Sequence, residues 1–263
     1  MENKQILLND TTIHYTKTGK GKPVMLVHGF GENRDIWDGQ VNVLKESTTL
    51  IIPELPGSGD SDLIEDMSIE GMALALKKIL DNENIQSCTM IGHSMGGYIT
   101  LAFAEKFGSL LNAFGLFHST AYADSIQKIE TRKKGIAFIK EHGPFEFLKA
   151  TTPNLFSPGF RETHPESVDQ QISRLGNFSA PALVSYYEAM MNRPDRVNVL
   201  KTSEIPILFI AGEYDNAVPL KDVLEQCSLP QLSYIHILRQ SGHMGMLEEA
   251  EKSNRILIDF LLK

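Results

Sequence analysis

The apolar positions of this chain fall into two kinds of run. Short, nearly continuous ones, Pro23 to His28, Thr49 to Pro53 and Cys88 to Ile91, are bounded by turn residues and read as strands buried on both faces. Between them, apolar residues recur at helical spacing over Ile36 to Glu46, Ile69 to Asn82 and Tyr98 to Phe107. An opening hairpin through Gly19-Lys20-Gly21 is expected before the first of these strands, with Lys17, Lys20 and Lys22 as its solvated tip. From about residue 5 to 117 strand and helix alternate, which predicts a mostly parallel sheet covered by helices on both faces.

The alternation then stops. From Ser119 to Leu200 no convincing strand occurs, only helical patterns such as Ile126 to Glu141, Pro144 to Ala150, Val168 to Leu175 and Ala180 to Met191, separated by Pro and Gly. Strand-like runs return at Ile207 to Gly212 and Leu232 to Leu238, and a long helical pattern follows from Met246 to Leu262. The expected organisation is an α/β core of residues 1–118 and 201–263, with residues 119–200 inserted as a helical cap.

Three loops at strand ends carry candidate chemistry. Gly92-His93-Ser94-Met95-Gly96-Gly97 lies between a strand and a helix. A serine at such a sharp turn is held in a strained conformation that projects its hydroxyl, and glycines on either side let neighbouring chain pass close. Ser94 is therefore a nucleophile candidate, and the N–H of Met95, in the first turn of the helix, a candidate oxyanion donor. A serine needs a general base, and the base needs a group to orient it. Asp215 follows the strand ending at Gly212, and His243 follows the strand ending at Leu238. Asp215 also has a plainer reading as a turn residue, with Glu213 its nearest rival for the acid role and Asp124 a remoter one.

These residues resemble the α/β-hydrolase superfamily, whose triad follows the order nucleophile, acid, histidine. The resemblance extends to Val24-Met25-Leu26-Val27-His28-Gly29-Phe30-Gly31, similar to the family's third strand and oxyanion loop. It also takes in Pro53-Glu54-Leu55-Pro56-Gly57-Ser58-Gly59-Asp60-Ser61, where many relatives have Asp in place of Glu54. It implies the α/β-hydrolase fold with a helical cap after the sixth strand, and an oxyanion hole formed by the backbone N–H groups of Phe30 and Met95. The activity it implies is that of a carboxylesterase or enol-lactonase-like serine hydrolase, with His243 as base and Asp215 as orienting acid. A serine nucleophile disfavours dehalogenase and epoxide hydrolase activities. A non-hydrolytic relative, a lyase or synthase acting on an anionic substrate, and a ligand sensor that keeps the triad both remain open.

Other residues near the site read as supports or pocket. His28 and His93 read as structural supports of the oxyanion loop and the turn, and His118 is a substrate-pocket candidate against the plainer reading of a satisfied core histidine. In the cap, Arg132 and Arg174 are candidates for binding a substrate carboxylate, although charges on cap helices more often face solvent.

A formal charge of −8 over 263 residues, with no basic patch, gives no support to nucleic-acid binding. No stretch is long enough to span a membrane, and Met1 to Leu8 lacks the apolar core of a secretory signal. Cys88 and Cys227 read as small buried hydrophobes, which fits a cytoplasmic protein. Gly29-Phe30-Gly31 lacks the third glycine of a dinucleotide loop, because position 34 is Arg, and the eight histidines include no metal-binding spacing. The expectation is an enzyme without metal or cofactor, acting on a small ester or acyl substrate as a monomer or homodimer.

Overall fold

A computed structural model describes residues 1–175 and 177–262. Eight strands form one sheet: β1 (Glu2–Leu8), β2 (Thr11–Gly19), β3 (Lys22–Val27), β4 (Thr48–Pro53), β5 (Cys88–His93), β6 (Leu111–Phe117), β7 (Ile207–Gly212) and β8 (Ser233–Leu238). Their order is β1-β2-β4-β3-β5-β6-β7-β8, with β2 antiparallel to both its neighbours and every pair from β4 to β8 parallel. The fold is the expected α/β-hydrolase fold.

Helices α1 (Asp38–Leu44), α2 (Ile69–Asn82) and α3 (Met95–Phe107) connect the strands of the first half. Between β6 and β7 run α4 (Ile126–His142), α5 (Pro144–Thr151), α6 (Pro158–Thr163), α7 (Pro165–Ser173), α8 (Ala180–Asn192) and α9 (Val197–Thr202). The last third adds α10 (Leu220–Gln226), α11 (Gly245–Glu248) and α12 (Ala250–Leu261). Among the described residues no helix is long and apolar enough to cross a membrane.

The period of two along the strands builds a core on each face. In β3, Met25 and Val27 face one side with Ile79, Leu80 and Phe103 of α2 and α3, while Val24 and Leu26 face the other with Val41, Leu44 and Leu257 of α1 and α12. From β3 the chain crosses to β4 on one side and then returns to β5 on the other. Such a reversal opens a crevice at the carboxyl ends of the two central strands, here the Gly29 loop and Ser94.

Three expectations are corrected. The opening hairpin turns at Asn9-Asp10, where Leu8 pairs with Thr11 and Asn9 takes φ 53°, and Gly19-Lys20-Gly21 instead leads out of the β2–β1 ribbon. The reason is that β4, apolar enough to be paired on both edges, lies between β2 and β3 and bonds with each. Lys17 is correspondingly no solvated tip: it and Lys4 both meet Glu83, at 2.5 Å each. The expected helix from Ile36 opens as a 3₁₀ turn, Arg34–Trp37, and the last helix breaks at Glu249, between α11 and α12. Side-chain bonding explains that break, because the Glu249 carboxylate accepts from Gln240 N–H (2.9 Å) and from the Ser241 hydroxyl (2.8 Å).

Candidate active site

Ser94 occupies the turn between β5 and α3 with φ 51° and ψ −116°, a strained conformation for a residue with a side chain. The surroundings hold it there. Its N–H donates to the Phe117 carbonyl (3.0 Å), and its own carbonyl accepts from Gly97 N–H (2.9 Å) and the Ser119 hydroxyl (2.7 Å). A Cβ on Gly92 would meet the Gly96 carbonyl, and one on Gly96 the carbonyls of Val27 and His28, so neither position accommodates a side chain without displacing backbone. Met95 is the first residue of α3, where backbone N–H groups lack intrahelical partners.

Asp215 and His243 come together from the loops after β7 and β8. The His243 Nδ1–H donates to Asp215 Oδ2 at 2.8 Å, with both side chains buried, which leaves Nε2 as the proton acceptor of the ring. The other carboxylate oxygen, Oδ1, accepts from Ala217 and Val218 N–H at 2.8 Å each. Burial alone would raise this carboxyl, but its pairing with His243 and the donors around it hold it well below the usual carboxylate range. Of its rivals, Glu213 is exposed, and Asp124 is ion-paired with Arg132 (2.5 Å) and Arg193 (2.8 Å).

His118 lies under this pair, fully buried, rather than on a cavity wall. Its Nδ1 is 3.1 Å from Asp215 Oδ2, the oxygen that also receives His243. Gly245 N–H points at Nε2 and Gly212 N–H at Nδ1, both at 3.2 Å. Burial pushes the imidazole down to about 4, so it is neutral at pH 7.

His28 and His93 sit where the supporting roles place them. His28 Nδ1–H donates to the Gly29 carbonyl (3.0 Å), and Nε2 accepts Leu55 N–H (3.0 Å), which fixes a neutral tautomer. Burial keeps it low, at about 4. His93 differs, because both of its nitrogens face acceptors: Glu32 Oε2 at 2.9 Å and the His243 carbonyl at 2.9 Å. Two acceptors favour the ring with a proton on each nitrogen. Burial alone would lower it, and the Glu32 carboxylate outweighs that and raises it. Glu32 also accepts Gly29 N–H at 2.6 Å. One buried ion pair thus ties together the Gly29–Phe30 loop, the Ser94 turn and the His243 backbone.

Sequence reading missed Glu32, whose partner lies 61 positions away. An acid inside a Gly-rich loop at a strand end was its one local signal. It also missed Glu248, whose carboxylate accepts the N–H groups of Gly242, Met244 and Ser157 at 2.8–3.1 Å and so fixes the His243 loop against the helical segment. His243 N–H itself donates to the Leu155 carbonyl at 2.6 Å.

Beside Phe30 lies a cavity of about 100 Å³, lined by Leu148, Leu155, Leu175, Tyr187 and Met244, with Glu32, Thr151, Thr152 and Gln171 as polar members. A hollow of about 460 Å³ is lined by Ser157, Tyr214 and Glu248 on the outer side of the His243 loop, and one of about 340 Å³ lies farther away, beside Glu105 and Asn198. Tyr187 stacks on Phe30 with ring centroids 4.4 Å apart and planes 6° apart. The two candidate carboxylate binders are engaged elsewhere: Arg132 pairs with Asp124, and Arg174 is half-exposed, 3.8 Å from Asp38. The ligating atoms of His118, Asp215 and His243 lie within 4.8 Å of one another, a spacing that a metal ion could share, but each is already committed to the hydrogen bonds described.

Residues 22–119 match the family model described as the alpha/beta hydrolase fold. The chain is similar to 3-oxoadipate enol-lactonase 2 of Acinetobacter baylyi, 25% identical over 252 residues that cover 93% of this chain and 91% of the relative. It is also similar to the 2-hydroxy-6-oxononadienedioate/2-hydroxy-6-oxononatrienedioate hydrolase of Paraburkholderia phymatum, 28% identical over 95% of this chain and 90% of that one. Among solved structures, a thermophilic esterase from Thermogutta terrifontis superposes with a TM-score of 0.92 at 25% identity, over 99% of this chain and 98% of the esterase.

Proposed function

The chain is a hydrolase with the α/β-hydrolase fold, and from that premise we propose that it cleaves carboxylic esters or related acyl bonds of small molecules through an acyl-enzyme on Ser94. The observation that carries this reading is the buried His243–Asp215 hydrogen bond of 2.8 Å, set at the same end of the sheet as the strained Ser94 turn. With its Nδ1–H hydrogen-bonded to Asp215, His243 keeps Nε2 for the serine.

In the first step Nε2 takes the Ser94 proton as Oγ attacks the carbonyl carbon. The resulting oxyanion is held by the N–H groups of Phe30 and Met95, a contribution of about 2.7–4 kcal/mol per donor in comparable sites. The carbon–oxygen bond to the alcohol breaks, and the imidazolium gives that alcohol its proton. Water then attacks the acyl-enzyme with His243 again as base, releasing the acid and restoring the serine. Asp215 orients the ring and stabilises its charged form without taking the proton itself.

Residues 119–200 act in this reading as a cap over a core of 1–118 and 201–263. The small apolar cavity beside Phe30 receives one arm of the substrate. A cytoplasmic setting suits the free, buried thiols of Cys88 and Cys227. The anionic-substrate reading loses Arg132 to its buried pair with Asp124, and Arg174 stands on the exposed surface beside Asp38.

The test is steady-state hydrolysis of nitrophenyl esters by the protein and its Ser94→Ala variant, with intact-mass detection of an acyl adduct. A drop in turnover of about three orders of magnitude or more, with loss of the adduct, is expected. Undiminished turnover in Ser94→Ala removes the serine from the mechanism.

A further inference from the structure

The Asp215 carboxylate receives a second histidine that the acyl-transfer steps do not use. We propose that His118 is a positioning residue of the Asp215–His243 pair: its Nδ1–H holds Asp215 Oδ2 in place and takes up part of the charge that this oxygen presents to His243. The inference rests on the serine-hydrolase reading for its kinetic consequences, while its structural content stands without it.

The proton assignment follows from the partners. Gly245 N–H points at Nε2 and Gly212 N–H at Nδ1, both at 3.2 Å, so these two donors balance and the carboxylate beside Nδ1 sets where a neutral ring carries its proton. That proton faces Asp215 Oδ2 at 3.1 Å. Either tautomer opposes one backbone N–H, that of Gly212 or that of Gly245, but only the opposite one also sets a ring lone pair against a buried carboxylate oxygen, which makes it the costlier of the two. The charged and titratable groups facing His118 are few: Asp215 from the loop after β7, His243 from the loop after β8 with ring centroids 5.7 Å apart, and His93 from β5 at 6.0 Å. The positive charge of His93 is already matched by Glu32. His118 therefore has one charged acceptor in reach, and it is the acid that orients His243.

The backbone shows the same commitment. His118 has φ 50°, a left-handed conformation uncommon for residues other than Gly, Asn and Asp, and its N–H is bonded to the Ile210 carbonyl at 2.8 Å. That bend turns the ring beneath β7, where Gly212 and Gly245 leave space for it, since a Cβ on either would strike the imidazole.

Two donors on one oxygen compete. Removing the His118 donor leaves Asp215 freer to rotate, which lowers kcat, and lets its full charge act on the imidazolium of His243, which favours the protonated base. The expected signature in His118→Ala is a kcat lower by about tenfold or more, short of the roughly 10⁴-fold that changing the acid causes in a serine protease. KM for a short ester stays near the starting value, and the acidic limb of the kcat/KM profile moves to higher pH. His118→Asn suits the positive φ and restores an N–H toward Oδ2, so it recovers most of the rate and returns the limb. A folded His118→Ala with an unmoved limb and undiminished kcat overturns the proposal, whatever its melting temperature.

Nitrogen-15 histidine NMR of the unmodified protein decides the matter without turnover and without a variant that must fold. A neutral His118 with its proton on Nδ1 is expected at pH 7; a proton on Nε2, or a cationic ring, overturns the assignment. Failure of the serine reading would show separately, as Ser94-independent turnover, and would leave the NMR result where it stands.

Discussion

Glu54 carries a carboxylate into a buried site where one oxygen, Oε2, has no hydrogen-bond partner and the other lies 3.2 Å from Arg34 Nε. Burial pushes this carboxyl up to about 7, against the pull of Arg34. A group that holds its proton more tightly when folded stabilises the fold below its unfolded value and loses that contribution as pH rises through the folded one. The protein should therefore lose stability between about pH 4.5 and 7, by at most about 3 kcal/mol from this residue. Glu54→Gln should flatten that part of the curve and be the more stable protein at alkaline pH; urea unfolding at both ends of the range measures it, and parallel curves would refute it. The placement of Ser94, Asp215 and His243 at strand ends was legible in the sequence, and the structure brings Asp215 and His243 into hydrogen-bond contact. Residue-scale chemistry was illegible where the meaning lay in a distant partner: His118 turns to Asp215, 97 positions away, and nothing local separates that from a pocket wall.

Helix α8 presents aromatic side chains both to the core and to the neighbouring helices α4 and α5. Tyr187 is stacked on Phe30, lies edge-on to Phe147 with centroids 5.8 Å apart, and has the Arg132 guanidinium over its ring at 5.3 Å. Tyr186, one residue earlier, donates to the Pro56 carbonyl at 2.6 Å. Tyr187→Ala should cost about 3 kcal/mol, as aromatic truncations do, while Tyr187→Phe, which keeps the ring, should cost under about 1 kcal/mol. Because the stack rests on the residue proposed as an oxyanion donor, the alanine variant should also lose turnover of the shortest ester, and a change confined to long esters would contradict the coupling. Periodicity revealed the strands and long helices, since a buried face repeats along the chain. The hairpin at Gly19-Lys20-Gly21 was misread because two glycines mark a turn without saying which strand lies beyond it. The last helix was read as unbroken because its interruption comes from Glu248 and Glu249 bonding to another loop, a contact outside any helical period.

The whole molecule brings three loops from different strands to one crevice and sets a helical layer against them. With about 100 Å³ beside Phe30, the acyl arm should be short. Acetyl to butyryl nitrophenyl esters should turn over best, and Leu148→Ala or Leu175→Ala should move the optimum toward longer chains; an unchanged preference would show that the cavity takes no part in selection. The alternation of strand and helix made this architecture visible from the sequence. How the helices close over the crevice was not visible, because that depends on side chains such as Tyr187 and Glu248 meeting distant partners. The buried Glu32–His93 pair carries a further consequence, for descent. Losing either member leaves the other charge stranded beneath the crevice at a cost of about 3–5 kcal/mol, a large share of what keeps such a domain folded. Lineages that diverge from this chain should thus keep positions 32 and 93 together or exchange them together, and across many such sequences the two should vary as one inherited character.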